Sequence, residues 1–296
     1  EYAVIRLVPR VEREEFFNVG IILFSKRAKY IKALYKVDEN KLNLFSSELD
    51  RESLFANLHV FDKIDSTNNF AKTLTDVSVP QLIVAQQQTA GRGRLGRDWL
   101  DAPHKGLYYT AVIKTDLVQP ATLPLFASLA VCDALRERYH IDCQIKWPND
   151  LLLSGKKIVG ILCEVGPDGH SIVVGIGINL AQPQEYFDAA GLPHGTSLAL
   201  QGVSVDMDTD PEWLAQYMTD FGFDRALYTY ESEGFAPYRE RYKACCVNLG
   251  RRVTYDGGAG IATDVDADGR LIVHDESGDT RVFTGEVSVK GIYGAV

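Results

Sequence analysis

The sequence has few of the residues that mark a secreted or disulfide-bonded protein. It contains five cysteines in 296 residues, without regular spacing, and two of them, Cys245 and Cys246, are adjacent. This usage predicts reduced thiols and a cytoplasmic protein. No run approaches 18 consecutive apolar residues, and no basic stretch followed by an apolar one opens the chain. The sequence therefore favours neither membrane insertion nor secretion.

Positive charge is also scarce. Lys and Arg number 31 against 40 Asp and Glu, which gives a net charge of −9. A general nucleic-acid binder needs a basic surface to neutralise phosphates, so we predict no nucleic-acid partner. The phosphate-binding pattern G-x-x-x-x-G-K-[ST] is absent as well, which argues against a P-loop NTPase.

What the chain does have is a 46% apolar composition, enough for a large core and two or three domains. Residues 1–57 are rich in strand-forming runs, residues 58–245 alternate strands with helices, and residues 246–296 hold short strands separated by hairpin turns. These patterns predict an α/β protein with a β-rich segment at each end. The predicted strands are Tyr2–Val8, Val19–Phe24, Tyr30–Tyr35, Ile83–Gln86, Gly106–Ile113, Gln144–Trp147, Ile158–Val165, Ser171–Ile178, Arg252–Tyr255, Ile261–Val265, Leu271–His274 and Thr280–Thr284, and the predicted helices are Leu123–Tyr139 and one that begins at Pro211.

The most informative polar segment is residues 91–97, the Gly/Arg loop. Glycines at 91, 93 and 96 alternate there with arginines at 92, 94 and 97. Glycine lets backbone N–H groups approach a ligand closely, and arginine supplies forked, permanent donors, so the loop is expected to hold an anion such as phosphate. A flexible surface turn and a weak nucleic-acid contact are the alternatives. The glycine spacing also fits a dinucleotide fingerprint, but arginines occupy the positions where a helix start would pack against pyrophosphate.

Three further segments carry chemistry. Residues 146–150, the Lys-Trp turn, read Lys-Trp-Pro-Asn-Asp after a strand and predict a tight polar loop, the alternative being a surface turn with a buried Trp. Lys157 stands before an apolar strand, where it can hold a carboxylate or phosphate or simply face solvent. Gly175 and Gly177 interrupt a strand and permit close approach of a ligand or another backbone. Ser66 is positioned to cap a helix.

Five motifs therefore occur in a fixed order. They are Ser-Thr-Asn at 66–68, Gln-x-x-Gly-Arg-Gly-Arg-x-Gly-Arg at 88–97, Lys-Trp-Pro-Asn-Asp at 146–150, Lys-x-x-Gly-Ile-Leu at 157–162 and Gly-x-Gly-Ile-Asn at 175–179. In this combination the chain resembles the biotin protein ligases of the type without a DNA-binding domain, over residues 58–290. The resemblance implies a mixed sheet with flanking helices, similar to class II aminoacyl-tRNA synthetase catalytic domains, over 58–245, and an SH3-like barrel over 246–296.

Residues 1–57 resemble part of a different, uncharacterised bacterial family, and this likeness implies no activity. It rests on Val8-Pro9-Arg10, Glu15-Phe16, Asn18-Val19-Gly20 and Leu23-Phe24. The segment is not a helix-turn-helix in pattern and is not strongly basic, so repressor activity is not expected.

The ligase resemblance assigns roles to residues of this chain. It implies activation of biotin with ATP and Mg²⁺ to biotinyl-5′-AMP, followed by transfer to a lysine of a biotin carboxyl carrier protein domain. Biotin contacts are implied for Ser66, Thr67, Asn68, Gln88, Arg92, Gly93, Arg94 and Lys157. Nucleotide contacts are implied for Arg92, Arg94, Arg97, Trp99, Lys146, Asn149, Lys157 and Asn179. Catalytic roles are implied for Lys157, Arg94 and Asp150. Asp150 is a candidate to orient or deprotonate the incoming amine, the alternative being a structural carboxylate of the turn. No side chain is assigned to a metal.

Other interpretations stay open. Leu95 stands where many relatives of the resembled family have a further loop arginine, which puts the ordering of the loop in question. A lipoate or octanoate ligase or transferase shares the implied fold and the carrier lysine, although the Gly/Arg loop and the Lys-Trp turn favour biotin. A non-catalytic adenylate-binding or interaction protein is the second alternative. A homodimer is left open, and no membrane partner is predicted.

Overall fold

A computed structural model gives the architecture of the chain. It describes residues 2–10, 15–25, 30–35, 58–74, 81–100, 102–114, 120–283 and 285–292. The contacts divide the chain into two units, Glu1–Ala56 and Asn57–Val296. None of the helices in this described part is long and apolar enough to cross a membrane.

The first unit contains a three-stranded antiparallel sheet. Its strands are β1 (Tyr2–Arg10), β2 (Glu15–Ser25) and β3 (Tyr30–Tyr35), with β2 in the middle. All three predicted strands are present, and the first two are longer than the apolar runs suggested, because charged and polar residues continue the pairing at their ends.

The second unit is built on a seven-stranded mixed sheet. Its strands are β4 (Leu58–Phe61), β5 (Gln81–Ala85), β8 (Gly106–Lys114), β9 (Gln144–Lys146), β10 (Asp150–Leu153), β11 (Lys156–Val165) and β12 (Ser171–Asn179), and two short strands, β6 (Gly91–Arg92) and β7 (Asp98–Trp99), form a separate pair. The order across the large sheet is β4-β5-β8-β12-β11-β10-β9. Only β4 and β5 pair in parallel among these seven. The predicted α/β class is confirmed at this level.

Helices flank this sheet. They are α1 (Thr67–Ala71), α2 (Leu123–Tyr139), α3 (Gln184–Ala189), α4 (Asp210–Tyr217), α5 (Ala226–Glu233) and α6 (Arg239–Cys245), with a π-helical segment at Met218–Arg225. The bounds of α2 are those predicted, and its apolar stripe is buried as its three- and four-residue spacing requires. The stripe consists of Leu125, Phe126, Leu129, Cys132 and Leu135.

A five-stranded antiparallel sheet follows α6. Its strands are β13 (Arg252–Tyr255), β14 (Gly258–Val265), β15 (Leu271–Asp275), β16 (Gly278–Val282) and β17 (Ser288–Val289), in the order β16-β15-β14-β13-β17. The buried residues of this sheet, of α2 and of the large sheet form one continuous apolar cluster. The two sheets of this unit therefore share a core.

Several predictions of strand position were wrong. Strands β4, β6, β7, β10 and β17 were not predicted, β14 begins three residues before the predicted Ile261, and β9 ends at Lys146, one residue before the predicted end. Strand β10 was not predicted, because the tight loop was extended through Asp150, which is in fact the first residue of a strand paired with both β9 and β11. The fourth C-terminal strand was placed two residues late. Asp275 pairs with Gly278, so the hairpin turn lies at 276–277 and the strand begins at Gly278.

Candidate active site

One cavity of about 470 Å³ opens on the large sheet of the second unit. Its volume falls in the range of about 300–1,000 Å³ that is usual for small-molecule sites. All fourteen residues singled out from the sequence line it: Ser66, Thr67, Asn68, Gln88, Arg92, Gly93, Arg94, Arg97, Trp99, Lys146, Asn149, Asp150, Lys157 and Asn179. Motifs separated by more than 100 residues in the chain therefore converge on a single space.

The start of α1 brings a buried polar network to one end of the cavity. Ser66 is the N-cap, and its hydroxyl accepts from Asn69 N at 3.4 Å, as the helix-start pattern predicted. Thr67 donates to Gln88 Oε1 from its backbone N–H at 2.8 Å and from its hydroxyl at 3.0 Å. The Thr110 hydroxyl lies 2.8 Å from both Thr67 Oγ1 and Asn68 Oδ1. Each of these polar side chains is therefore held by hydrogen bonds within the protein.

Glycines in the sheet make room for two of these side chains. A Cβ on Gly175 would lie 2.1 Å from Asn68 Oδ1, and Cβ atoms on Gly160 and Gly177 would lie 2.4 Å and 2.6 Å from the Trp99 indole. The broken strand was predicted to admit a ligand or another backbone; the close neighbours within the protein are instead the side chains of Asn68 and Trp99. Among the described residues, the Trp99 Nε1 is buried without a hydrogen-bond partner.

The Lys-Trp turn forms a second, buried side of the cavity. Asn149 Nδ2 donates to the Ile161 carbonyl at 2.6 Å, and Trp147 Nε1 donates to the Gly269 carbonyl at 2.9 Å. The backbone N–H of Trp147 donates to Asn248 Oδ1 at 2.8 Å. Trp147 is therefore a buried structural residue that links the turn to the C-terminal segment. This matches the alternative of a buried Trp in the turn.

Lys157 faces the turn across the cavity. Its Nζ lies 2.7 Å from Asp150 Oδ1 and 5.5 Å from the centre of the Trp99 ring. Its backbone is held on both sides, because Lys157 N donates to the His194 carbonyl at 2.8 Å and Thr196 N donates to the Lys157 carbonyl at 3.0 Å. A lysine fixed in this way can meet an anion without reorganisation.

Each arginine of the Gly/Arg loop has an acceptor within the protein. Arg92 lies 3.3 Å from Glu164 and donates to Asn69 Oδ1 at 3.2 Å. Arg94 donates to Asn149 Oδ1 at 2.7 Å and to the Gly285 carbonyl at 3.4 Å, which joins the loop to the turn and to the C-terminal sheet. Arg97 pairs with Glu286.

Burial shapes the electrostatics of this site. Desolvation lowers the pKa of Lys146, which is only 8% exposed; Asp150 opposes this shift and Lys157 adds to it. Desolvation likewise lowers the pKa of Arg94, partly offset by Asp150. A guanidinium keeps its charge through such a shift. The cavity thus contains cations that are incompletely solvated, and an anionic ligand would relieve that cost.

Asn179 lies in the cavity wall with its amide already engaged. Its Nδ2 donates to the Thr196 carbonyl at 3.0 Å, and its Oδ1 accepts from Gln182 Nε2 at 3.1 Å. Within the residues that the structure describes, no group of three or more His, Cys, Asp or Glu side chains is placed to hold a metal ion.

Several residues in or beside the site had no signal in the sequence. Glu164 follows the Lys-x-x-Gly-Ile-Leu motif and reads as an ordinary strand residue; it lies beside the cavity, in contact with the lining residues Asn68 and Arg92. Glu286 belongs to the C-terminal segment, whose turn pattern indicates hairpins and no site. The segment 191–195 and the aromatic residues Tyr186 and Phe187 also line the cavity, after a loop that no motif marks. Only the fold brings them there.

Comparisons with known proteins agree with this arrangement. The Biotin/lipoate A/B protein ligase family matches residues 60–179. A family described as protein of unknown function (DUF3037) matches residues 2–90, which covers the segment that resembled an uncharacterised family. A Biotin--[acetyl-CoA-carboxylase] ligase of Paracoccus denitrificans is 34% identical over 77% of this chain and 99% of the relative.

Two further proteins extend the likeness. A bifunctional ligase/repressor of Bacillus subtilis is 29% identical over 94% of this chain and 86% of the relative. The solved structure of a biotin protein ligase from Aquifex aeolicus in complex with biotin and ATP is 28% identical, with a TM-score of 0.65 over 79% of this chain and 99% of that chain. Given the Paracoccus relative, which is matched over nearly its whole length, this chain belongs to the biotin/lipoate A/B protein ligase family.

Proposed function

We propose that the chain is an ATP-dependent biotin protein ligase, which forms biotinyl-5′-AMP and transfers the biotinyl group to a lysine of a biotin carboxyl carrier protein domain. The observation that carries this function is the single cavity onto which all five motifs converge. The ligase names of the relatives and the biotin and ATP bound in the Aquifex aeolicus structure support the same conclusion.

The first step joins two anions, and the cations of the cavity make this possible. A biotin carboxylate oxygen attacks the α-phosphorus of ATP, the bond from that phosphorus to the pyrophosphate oxygen breaks, and pyrophosphate leaves. We assign to Lys157 and Arg94, which line the cavity, the neutralisation of the carboxylate and the α-phosphate, and to Lys146 and Arg97 additional positive charge for the nucleotide. Holding biotin and ATP together in the reactive orientation supplies much of the remaining rate enhancement.

The buried α1 network suits the recognition of the biotin head. Gln88, Thr67 and Asn68 present amide and hydroxyl groups at one end of the cavity, and Ser66 adds a hydroxyl. Gly93 allows backbone approach in the loop, while Trp99 offers an aromatic face and Asn149 and Asn179 complete the polar wall for the nucleotide. A loop lying over the bound adenylate would exclude water from a reactive mixed anhydride.

In the second step the carrier lysine attacks the acyl carbon, the bond from that carbon to the phosphate oxygen breaks, and AMP leaves. The attacking amine gives up a proton in this step, to solvent or, in the alternative mechanism, to Asp150. Asp150 Oδ1 is 2.7 Å from Lys157 Nζ, so we assign to Asp150 the role of orienting Lys157. Deprotonation of the incoming amine by Asp150 is the alternative role.

Mg²⁺ enters this proposal with ATP as part of the co-substrate. Mg²⁺ is commonly bound through substrate phosphates and one or two carboxylates. Since the described residues provide no three-ligand cluster, we assign it no protein ligands and derive no step through it.

The finer features of the fold and the setting remain part of the proposal. The large sheet with its helices is taken as similar to class II aminoacyl-tRNA synthetase catalytic domains, and the five-stranded sheet as an SH3-like barrel. A cytoplasmic location, the absence of a nucleic-acid partner and a homodimer as one open assembly state are predictions of the same kind. Lipoate is not favoured as substrate, since the relatives named above are biotin ligases.

A label-transfer assay tests the function. Purified chain is incubated with ATP, Mg²⁺, a carrier domain and labelled biotin, and in parallel with labelled lipoate. We expect label on the carrier lysine from biotin only, and labelled biotinyl-5′-AMP when the carrier is omitted. Transfer from lipoate and not from biotin would overturn the substrate. Binding of added biotinyl-5′-AMP, with neither its formation from biotin and ATP nor transfer to a carrier, would favour a non-catalytic adenylate-binding protein.

A further inference from the structure

Glu164 is a carboxylate at the edge of the site that no motif and no reaction step has used. It lies in β11, two residues after the Lys-x-x-Gly-Ile-Leu motif, and its side chain is 18% exposed. Its Oε1 accepts from Lys72 Nζ at 2.6 Å and lies 3.3 Å from Arg92 Nη2. Its Oε2 accepts from Asn68 Nδ2 at 3.1 Å. One side chain thus joins α1, the sheet and the Gly/Arg loop.

The contact with Asn68 connects Glu164 to the biotin end of the cavity. Asn68 Oδ1 accepts from the Thr110 hydroxyl, which also approaches Thr67, and Thr67 donates to Gln88. The amide of Asn68 must place its Nδ2 towards Glu164 for this chain of bonds to hold. Gly175 leaves the space that this orientation requires.

The contact with Arg92 connects the same carboxylate to the loop. Arg92 is half exposed, and its other described partner is Asn69 in α1. An arginine side chain that pairs with a carboxylate samples fewer rotamers than an arginine side chain that contacts only solvent. The position of Arg92, and with it the first turn of the Gly/Arg loop, therefore depends on Glu164.

Glu164 is charged under ordinary conditions. Burial alone would raise its pKa, but the hydrogen bonds from Lys72 and Asn68 and the charge of Arg92 lower it below the usual range for a glutamate. The carboxylate can thus serve two cations and one amide at the same time.

We propose that Glu164 is a positioning residue that couples the biotin-recognition network of α1 to the Gly/Arg loop through Arg92, and thereby slows the release of biotinyl-5′-AMP. The inference rests on the proposed function. It predicts that neutralising Glu164 affects retention of ligand more than the adenylation chemistry, because the cations assigned to the reacting groups, Lys157 and Arg94, are held by other residues.

The test compares the full chain with Glu164→Gln. We expect release of labelled biotinyl-5′-AMP, chased with unlabelled ligand, to become about tenfold faster and the KM for biotin to rise by a similar factor, since a charge-assisted contact is lost. The single-turnover rate of adenylate formation at saturating biotin stays within about twofold of the wild type. Glu137→Gln, the same substitution at an exposed position of α2, leaves all three quantities unchanged.

A double-variant cycle then separates coupling from general damage. If Glu164 acts through Arg92, Arg92→Gln speeds release as well, and the double variant releases no faster than the faster single variant. If the increases in release rate of the two single variants multiply in the double variant, Glu164 does not act through Arg92. If Glu164→Gln releases biotinyl-5′-AMP at the wild-type rate, Glu164 has no role in retention. A merely structural defect would lower the burst amplitude, which counts active molecules, without altering the release rate, and would also count against the proposal.

Two controls keep the outcome decisive. Should Glu164→Gln fail to fold, Arg92→Lys at the exposed end of the pair keeps the charge but loses the forked contact with Glu164 and Asn69. Wild-type release from that variant would again reject the coupling. If the wild-type chain forms no biotinyl-5′-AMP, the proposed function fails; if it does so while Glu164→Gln behaves identically, only this inference fails.

Discussion

The Gly/Arg loop and the Lys-Trp turn both present cations to the cavity, yet they are held in place by different means. The turn is buried: Lys146 is 8% exposed, Trp147 2% and Asn149 7%, and its hydrogen bonds reach both sheets. The loop is exposed, with the side chains of Arg92 and Arg97 44% and 63% accessible and ion pairs as its main anchors. Exposed pairs contribute about 0–1 kcal/mol each, whereas orphaning a buried polar group costs about 1–3 kcal/mol.

The difference indicates a division of labour. The turn supplies a buried cation and Lys157 a cation paired with Asp150, and charges held by the protein in this way suit the stabilisation of a transition state. The loop can rearrange around a ligand at low cost, which suits capture and retention.

The largest effect is expected on the fixed side. Lys157→Ala removes the cation paired with Asp150, and we expect adenylate formation to slow by on the order of a hundredfold or more. Single-turnover assays of pyrophosphate release measure this. Lys156→Ala, the exposed neighbour on the same strand, should be close to wild type. Equal losses in both variants would show that the effect is not specific to the site.

The same substitution at two tryptophans compares the two regions directly. Trp147→Phe leaves the Gly269 carbonyl without its donor, so we expect a loss of about 1–3 kcal/mol in the free energy of unfolding. Trp99→Phe removes an N–H that has no partner among the described residues, and should cost less than about 1 kcal/mol. Urea denaturation followed by circular dichroism gives both values. Equal costs would mean that the Trp147 hydrogen bond does not hold the turn.

The innermost loop arginine should show an intermediate effect. Arg94→Ala loses its contacts with Asn149 and Gly285 and any contact with the adenylate, and we expect release of biotinyl-5′-AMP to become about tenfold faster. Arg97→Ala loses only an exposed pair and should change release by about twofold. A chase experiment with labelled ligand measures both rates. A larger effect from Arg97 would place the retaining contact at the outer end of the loop.

Much of the fold could be predicted from the sequence, but only where chemistry and local pattern coincide. The apolar period fixed the bounds of α2, and alternation with turns indicated most strands of the C-terminal sheet. Strand β10 was missed because Leu151, Leu152 and Leu153 form a short apolar run with no period that distinguishes strand from connector. The polar turn before it also masked the point at which pairing begins.

The site was predicted from motifs, and its remaining members depend on the fold. An unusual cluster such as the Gly/Arg loop can be recognised in the sequence, because the requirements of folding alone rarely produce one. Glu164 and Glu286 are single carboxylates in ordinary strand or turn contexts, and their significance arises only when distant segments pack beside the loop. The structural role of Trp147 could not be predicted locally either, because its hydrogen-bond acceptor, the Gly269 carbonyl, is 122 residues away in the sequence.

A smaller effect concerns the buried lysine of the turn and pH. Phosphate binding needs Lys146 protonated, and burial lowers its pKa, so the free protein loses this proton below the ordinary value of 10.5. Affinity for a non-hydrolysable biotinyl-adenylate analogue should fall by a few-fold as the pH rises from neutral towards 10.5, and binding should take up protons. Calorimetry in buffers of different ionisation enthalpy measures this. The dependence should weaken in Lys146→Met and persist in Lys156→Met; persistence in both would assign it to another group.

The smallest effect tests how the loop backbone is held. Leu95 has φ 57° and ψ 32°, in the left-handed region, and its side chain is 67% exposed. Leu95→Gly relieves a steric cost of about 1 kcal/mol but gives the unfolded chain more freedom, so we expect a net stabilisation of at most about 0.5 kcal/mol. Leu100, 40% exposed and outside the left-handed region, supplies the control, because Leu100→Gly gains no such relief and should cost about 0.5–1 kcal/mol. Opposite signs in urea denaturation would support a loop formed before ligand binds. If both substitutions destabilise alike, the left-handed turn is not maintained in solution, and the loop must acquire its shape from the ligand.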